Sequence, residues 1–153
     1  MGRKWLILGL LIALLCATSC KDNYYIENNL HGVWQVVSVD NYSTDVITYP
    51  QGTLYYMFQR SIVALCYKHL DIPERMERNI AHFDMVTSDS IGMGDFRAYT
   101  TGEGNLVNNE EKVSVSSLRK YGIFEDYTLF HMQLSKDKMM LTSDSACIIL
   151  RKY

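Results

Sequence analysis

Residues 30–40 place the strongest constraint on the fold of this chain. They read Leu-His-Gly-Val-Trp-Gln-Val-Val-Ser-Val-Asp, so Gly32 stands two residues before Trp34 and a valine-rich run ends at Asp40. Valine and tryptophan are enriched in strands, and aspartate commonly marks the turn that follows one. The segment therefore predicts the first strand of a small antiparallel barrel, with later strands returning to pair with it.

Residues 1–19 have the layout of a secretory signal. Arg3 and Lys4 form a positive start, and residues 5–17 make an apolar run of 13. A helix that spans a membrane needs about 20 apolar residues, so this run is too short for a permanent span. We expect a cleaved signal peptide over residues 1–19, in preference to a retained anchor helix.

The end of the apolar run carries a more specific motif, Ala-Thr-Ser-Cys at residues 17–20. It resembles the lipobox of bacterial lipoproteins, in which cleavage occurs just before a cysteine that carries lipid, although Ala17 replaces the usual leucine. The resemblance implies that Cys20 is acylated, for example with palmitate, and that residues 20–29 form a lipidated tether. Several acyl chains give a stable anchor, because one chain binds membranes only marginally. Lys21 replaces the aspartate of inner-membrane retention signals, which favours the outer membrane, at its periplasmic face or the cell surface.

The composition of the exported part fits one globular domain. Without residues 1–19 the chain keeps 13 of its 15 Lys and Arg against 17 Asp and Glu, a net charge of −4. No basic patch stands out, so nucleic acid is not an expected partner. The chain has two prolines and no low-complexity tract, which argues against disorder. We expect residues 30–153 to form this domain.

Eight strand-like runs are predicted, with a ninth edge segment at residues 46–49. The eight runs are 30–40, 53–59, 62–68, 79–87, 90–97, 127–134, 138–143 and 146–153. They alternate with short turns, and a meander of eight strands removes its exposed edges by closing into a barrel. Eight strands enclose either packed side chains or one small ligand.

The connections contain a helix and two predicted loops. Residues 114–122 begin with serines and end with basic residues and a glycine, which predicts a short helix between strands five and six, where it can plug one barrel end. Residues 101–112 predict a loop, and residues 71–78 a solvated loop or one helical turn. Gly92 and Gly94, inside the fifth strand, indicate a bend or bulge.

Three short motifs resemble a known family. Leu30-x-Gly32-x-Trp34 with the following Val-Val-Ser resembles the first-strand signature of lipocalin-like domains. Residues 55–59 and 141–153 resemble the second strand and last hairpin of small lipocalin-like lipoproteins of Gram-negative gut bacteria. The resemblance implies an all-β, eight-stranded antiparallel up-and-down barrel over residues 30–153, with Trp34 packed across its base. These families are largely of unknown function, so the resemblance implies architecture and location but no ligand.

The sequence contains no motif that predicts catalysis, a metal or a cofactor. The four histidines (residues 31, 69, 82 and 131) lack metal-ligand spacing, and Cys66 and Cys147 form no C-x-x-C pair. These two cysteines can be free or bonded, because strand partnership cannot be read from sequence. The Ser-Asp-Ser triplets at residues 88–90 and 143–145 fit turns, and no nucleophile elbow occurs. We expect a protein that is not an enzyme.

Two functions from different classes are consistent with these observations. In the first, the barrel binds a small apolar or amphipathic molecule, with Tyr55, Met57, Tyr67 and Met132 as candidate lining residues. In the second, the barrel is filled and contacts another envelope protein or a glycan. A sizeable interior pocket would favour the first function, and large inward side chains would favour the second.

Overall fold

Antiparallel strands make up most of the computed structural model, which describes residues 29–71, 76–102 and 105–153. The predicted signal peptide, Cys20 and residues 20–28 of the predicted tether lie outside these residues. The strands are β1 Gly32–Asn41, β2 Val46–Thr48, β3 Leu54–Gln59, β4 Ile62–Lys68, β5 Met76–Thr87, β6 Ser90–Gly102, β7 Asn105–Lys112, β8 Tyr127–Leu134, β9 Lys138–Thr142 and β10 Ala146–Lys152. A short helix, α1 Val115–Leu118, continues into a 3-10 turn at Arg119–Tyr121.

The sheet closes into a barrel of eight strands. Around the ring the order is β1-β3-β4-β5-β6-β8-β9-β10, and β10 pairs again with β1. Trp34 of β1 lies between Tyr56 of β3 and Lys152 of β10. The two remaining strands extend the wall, because β2 pairs with the end of β1 and β7 with the end of β6. The predicted eight-stranded antiparallel barrel is confirmed.

Two predicted connections are strands in the structure. Residues 101–112, expected as a loop, contain the end of β6 and the whole of β7. β5 begins at Met76, so the last part of the expected loop at 71–78 is also strand. Both segments are rich in charged or amide residues, yet pairing with a neighbouring strand satisfies their backbone groups without apolar side chains. Residues 72–75 lie outside the described part.

The helix lies between the fifth and sixth strands of the ring, as predicted. It covers the mouth, which we define as the barrel end where β4 ends and β5 begins. The hydroxyl of Tyr56, inside the barrel, donates a hydrogen bond of 2.7 Å to the carbonyl oxygen of Tyr121. Gly122 then ends the turn at φ +87°, where a methyl group would lie 2.6 Å from Cγ1 of Ile148. Leu118, Tyr121 and Ile123 are buried and fill the mouth.

The opposite end, the base, is closed around Trp34. The Trp34 indole Nε1 donates a hydrogen bond of 2.7 Å to the carbonyl oxygen of Leu30. The Lys152 ammonium lies 4.4 Å from the Trp34 ring centroid and donates hydrogen bonds to the carbonyl oxygens of Asn29 and His31. These contacts bind the segment before β1 to the last strand at the base.

Large side chains fill the interior between the two ends. Inward positions alternate along each strand, as the burial of β8 and β10 illustrates. Many of the inward side chains have no accessible surface at all, so no void the size of a water molecule touches them. Those at 0% exposure include Trp34, Tyr56, Leu65, Met93, Phe130 and Ile148.

The predicted irregularity in the fifth ring strand is a bulge in β6. The pairing of β5 with β6 shifts register between Ile80 and His82, opposite the segment that contains Asp95. Asp95 has φ +53°, whereas Gly92 and Gly94 do not have positive φ. The glycines therefore accompany the bulge without forming it. No helix in the described part of the chain is long and apolar enough to cross a membrane.

Candidate functional site

A cluster of polar and aromatic side chains lies at the mouth of the barrel. The antiparallel pairing of β4 with β5 sets Tyr67 opposite Glu77, and the 3-10 turn brings Lys120 over them. Tyr67 occupies an inward position two residues after the buried Leu65. Because inward positions reach solvent at the mouth, polar residues are tolerated here.

Glu77 holds the cluster together. Its Oε1 lies 2.8 Å from Nε2 of His69, and its Oε2 lies 3.9 Å from Nζ of Lys120. The Lys120 ammonium is also 4.2 Å from the centroid of the Tyr67 ring, within the range of a cation–π interaction. The His69 ring meets the Tyr67 ring edge-on at 4.6 Å. The four side chains thus form one connected network.

Burial changes the protonation chemistry of this network. It lowers the pKa of the Lys120 amine, against the opposing effect of the Glu77 carboxylate. Burial also raises the pKa of the Tyr121 hydroxyl, and the neighbouring Cys66, Glu77 and Tyr67 raise it further. The Tyr121 hydroxyl has no hydrogen-bond partner within the described residues. The mouth therefore combines one partly desolvated cation with a buried neutral phenol.

A recess of about 440 Å³ opens beside the cluster. Its wall has cationic donors, two carboxylate residues (Glu77 and Glu111) and hydroxyls, so its chemistry suits a polar ligand and not an apolar one. The serine hydroxyls of α1 bond one another, with 2.9 Å between Ser114 Oγ and Ser116 Oγ. Polar residues of the wall include Glu77, Asn79, Lys112, Ser114, Ser117 and Lys120.

The four candidate lining residues lie in different parts of the barrel. Tyr67 belongs to the mouth cluster, and Met132 is buried in the interior on β8. Tyr55 stands on the outer wall, where its hydroxyl donates to the carbonyl oxygen of Gly52 and its ring meets Tyr153 edge-on at 5.5 Å. Met57 also faces outward, with Sδ 3.4 Å from Sγ of Cys66. The structure thus does not bring the four side chains together.

The two cysteines whose pairing the sequence left open are both free. Cys66 lies on β4 and Cys147 on β10, which are not neighbouring strands. Among the described residues, no three side chains of the His, Cys, Asp and Glu types converge as metal ligands would.

Three residues of the mouth cluster were not singled out from the sequence. Glu77 belonged to a charge run interpreted as a solvated linker, His69 was one of four scattered histidines, and Lys120 was only the basic end of a helix. A signal did exist, since His69 and Glu77 flank the segment that connects two strands and so must lie close together. The position of Lys120 over the Tyr67 ring depends on how the helix packs on the barrel, which no local sequence pattern predicts.

Comparisons with known proteins agree with this architecture. A family model described as Lipocalin-like domain matches residues 13–153. A lipocalin-like protein from Bacteroides uniformis superposes with a TM-score of 0.56 at 18% identity, covering 82% of this chain and 99% of that one. An uncharacterized protein from Bacteroides eggerthii superposes with a TM-score of 0.57 at 20% identity, covering 80% and 98%. No curated protein matches the chain. At these identities the solved structures support the fold alone.

Proposed function

Because the chain belongs to the lipocalin-like domain family, we propose that it is a lipid-anchored envelope protein whose filled barrel supports binding at its mouth and outer surface. In this proposal the barrel is a rigid scaffold and does not enclose an apolar ligand. Its partner is another envelope protein or a glycan. The protein has no catalytic activity and needs no cofactor.

One observation carries the proposal: the interior is occupied by the protein's own side chains. Trp34 fills the base, Tyr56 and Phe130 fill the middle, and Tyr121 fills the mouth, each with no accessible surface. A ligand-binding cavity typically has about 300–1,000 Å³ of free volume. To make such room, several aromatic side chains would have to leave the core, at a cost of about 3–5 kcal/mol each.

The geometry of the base supports the proposed anchor. The predicted tether, residues 20–29, leads directly to Leu30 at the base, next to Trp34 and Lys152. An acylated Cys20 would thus hold the base toward the membrane and turn the mouth away from it. We propose the outer membrane as the site of attachment, which the absence of aspartate after Cys20 favours.

Native mass spectrometry of the protein purified from its own host tests the filled barrel. We expect the mass of the lipidated chain with no additional apolar molecule, and no increase in fluorescence when N-phenyl-1-naphthylamine is added. A stoichiometric apolar molecule that remains bound in the gas phase would overturn the proposal. Lysozyme serves as a control for non-specific adducts in the same spray conditions.

Metabolic labelling with radioactive palmitate tests the anchor. We expect label in the wild-type chain and in a Cys16→Ala variant, and none in Cys20→Ala. We also expect the Cys20→Ala variant to leave the membrane fraction. Label retained in Cys20→Ala, or lost in Cys16→Ala alone, would show that the anchor is elsewhere.

A second candidate function is suggested by the recess at the mouth. An amphipathic molecule could place a polar group near Lys120 and Asn79 and an apolar edge on Tyr67, without entering the filled interior. Lys120→Ala should then weaken binding of such a molecule at least tenfold, while Lys136→Ala, at an exposed turn of the base, leaves it unchanged. Equal binding by both variants would exclude the recess.

A further inference from the structure

Tyr127 stands on the outer wall near the mouth and rests against two glycines of the neighbouring strand. It lies opposite Gly94 in the pairing of β8 with β6, and Leu129 lies opposite Gly92. A methyl group on Gly92 would be 1.9 Å from the Tyr127 hydroxyl oxygen. One on Gly94 would be 2.5 Å from the carbonyl oxygen of Asp126 and 3.1 Å from Cδ2 of the Tyr127 ring. The ring thus occupies the space that a side chain at Gly92 would fill, while the backbone before Tyr127 approaches Gly94 most closely.

The ring is held in place and yet remains open to solvent. Tyr127 is 54% exposed, although its hydroxyl end lies against the backbone of Gly92. A glycine inside a strand weakens it by roughly 0.5–1 kcal/mol, so the space that Gly92 leaves for the Tyr127 ring has a cost, although the ring adds little to the core. An aromatic side chain whose orientation is already restricted loses little conformational entropy when it binds a partner.

A recess that is lined partly by polar residues lies beside Tyr127. Tyr127 lines a shallow recess of about 180 Å³, together with Phe124 and the turn between β9 and β10. Glu125 and Asp144 also line this recess, and neither forms an ion pair within the part of the chain that is described. Ser143 and Ser145 complete its rim. The recess therefore combines aromatic residues with residues that carry hydrogen-bond acceptors.

We propose that this recess is a carbohydrate-binding site, and that it takes a neutral pyranose unit of a glycan. A pyranose presents C–H groups on one face, which pack on the electron-rich face of an aromatic ring, and hydroxyl donors around its edge. Free carboxylates accept hydrogen bonds from those hydroxyls and disfavour acidic sugars. The recess is smaller than the roughly 300–1,000 Å³ of a drug-sized pocket, so it fits one sugar unit of a longer glycan.

This inference rests on the proposed function and gives its partner a chemical class. The ring lies at the mouth end of β8, on the side of the barrel that the proposed anchor turns away from the membrane. Glu125 and Tyr127 belong to β8 and its lead-in, and Asp144 belongs to the β9–β10 turn. The pairing of β8 with β9 brings the two segments together, so the site exists only in the folded protein.

Affinity electrophoresis tests the site with four neutral polysaccharides as probes: amylopectin, laminarin, yeast mannan and arabinoxylan. We expect at least one of them to retard the wild-type protein. Tyr127→Ala should weaken that retardation at least tenfold, and Tyr127→Phe, which keeps the ring, less than threefold. Tyr49→Ala is the matched control, since Tyr49 is 65% exposed near the same barrel end but lines none of this recess.

Two further variants separate binding from folding. Gly92→Ala keeps the tyrosine but pushes its hydroxyl end away, so it should weaken retardation as Tyr127→Ala does. Asp144→Asn changes one exposed turn residue and should weaken it severalfold without changing the urea midpoint. Absence of retardation in all four gels, or equal retardation of wild type, Tyr127→Ala and Asp144→Asn, would overturn the site. The filled barrel is tested separately by native mass spectrometry, so either idea can fail without the other.

Discussion

At the scale of single residues, two adjacent tyrosines in β3 show how burial decides the contribution of a hydrogen bond to stability. Tyr56 points inward and donates to the carbonyl oxygen of Tyr121, while Tyr55 points outward and donates to that of Gly52. Both bonds are 2.7 Å long. Only the inward one leaves a buried carbonyl oxygen without a donor when the hydroxyl is removed.

Tyr56→Phe should lower the free energy of unfolding by about 1–2 kcal/mol, because the Tyr121 carbonyl oxygen stays buried and unsatisfied. Tyr55→Phe is the matched control and should cost less than about 0.5 kcal/mol, since water can replace its hydroxyl. Urea denaturation followed by tryptophan fluorescence measures both. Equal losses in the two variants would contradict the role assigned to burial.

The Cys66 thiol makes stability sensitive to alkaline pH. Burial raises its pKa to about 11 from 9.0, against the opposing effect of the Arg78 guanidinium. The native state therefore keeps the proton that the unfolded chain releases above pH 9, so stability is full below pH 9 and falls as pH rises toward 11. We expect this thiol to contribute a loss of about 2–3 kcal/mol by pH 11.

Comparison of urea midpoints at pH 8, 9.5 and 11 in wild type and Cys66→Ala measures that contribution. The buried Tyr56 and Tyr121, whose pKa values burial also raises, should add a fall above pH 10 in both proteins. The difference between the two profiles is thus due to Cys66. Parallel profiles from pH 8 to 11 would refute the prediction.

At the scale of elements, the segment from α1 to Gly122 closes the mouth of the barrel. Its close packing there requires a glycine at residue 122. Gly122→Ala should lower the free energy of unfolding by about 2–5 kcal/mol, for two reasons. The alanine would be held in a left-handed backbone conformation, and its methyl group would collide with Ile148 inside the barrel. Gly52→Ala is the control: φ is +77°, but its methyl group would meet only the movable Gln35 amide. That variant should cost about 1–2 kcal/mol.

Thermal and urea unfolding of the two glycine variants measure these losses. A Gly122→Ala protein as stable as Gly52→Ala would show that the plug is not packed against β10. A loss restricted to the mouth, with the Trp34 environment unchanged in fluorescence, would agree with the plug as a local element.

The elements differ in how far local sequence predicts them. Runs of apolar, β-branched and aromatic residues between turn residues predicted the eight ring strands, because one face of every ring strand must reach the core. β7 had no such signal: its residues, Asn-Leu-Val-Asn-Asn-Glu-Glu-Lys, are read as a loop until β6 is known to pair with it. The mouth site was less predictable still, since Lys120, Tyr67 and Glu77 meet only through the packing of a helix on a barrel rim.

At the scale of the whole molecule, ring closure depends on the pairing of β1 with β10. Gln35 lies opposite Arg151 across this seam, and their side chains form a hydrogen bond of 2.6 Å. Directly paired strand residues lie within the Cα separation that a disulfide needs. In a Cys147→Ser background, the double variant Gln35→Cys, Arg151→Cys should therefore form a disulfide under mild oxidation.

Closing a loop of this length should raise the free energy of unfolding by about 2–4 kcal/mol relative to the reduced double variant. Gel mobility and urea midpoints measure cross-linking and stability. Gln35→Cys combined with Lys138→Cys is the control, because Lys138 lies one strand further, opposite Arg151. Cross-linking of the control pair but not of the seam pair would show that the ring closes in another register.

The contacts of Lys152 at the base have a mechanical consequence. The chain enters β1 at the base, where Lys152 donates hydrogen bonds to the carbonyl oxygens of Asn29 and His31. β1 itself is paired on both edges, with β3 and with β10. If the chain is anchored as proposed, a pull on the residues before β1 runs roughly along the strand, and the hydrogen bonds of β1 lie perpendicular to it. The force is then shared by both hydrogen-bond ladders in shear and does not break them one bond at a time. The proposed anchored barrel should therefore resist tension on its N-terminal tether.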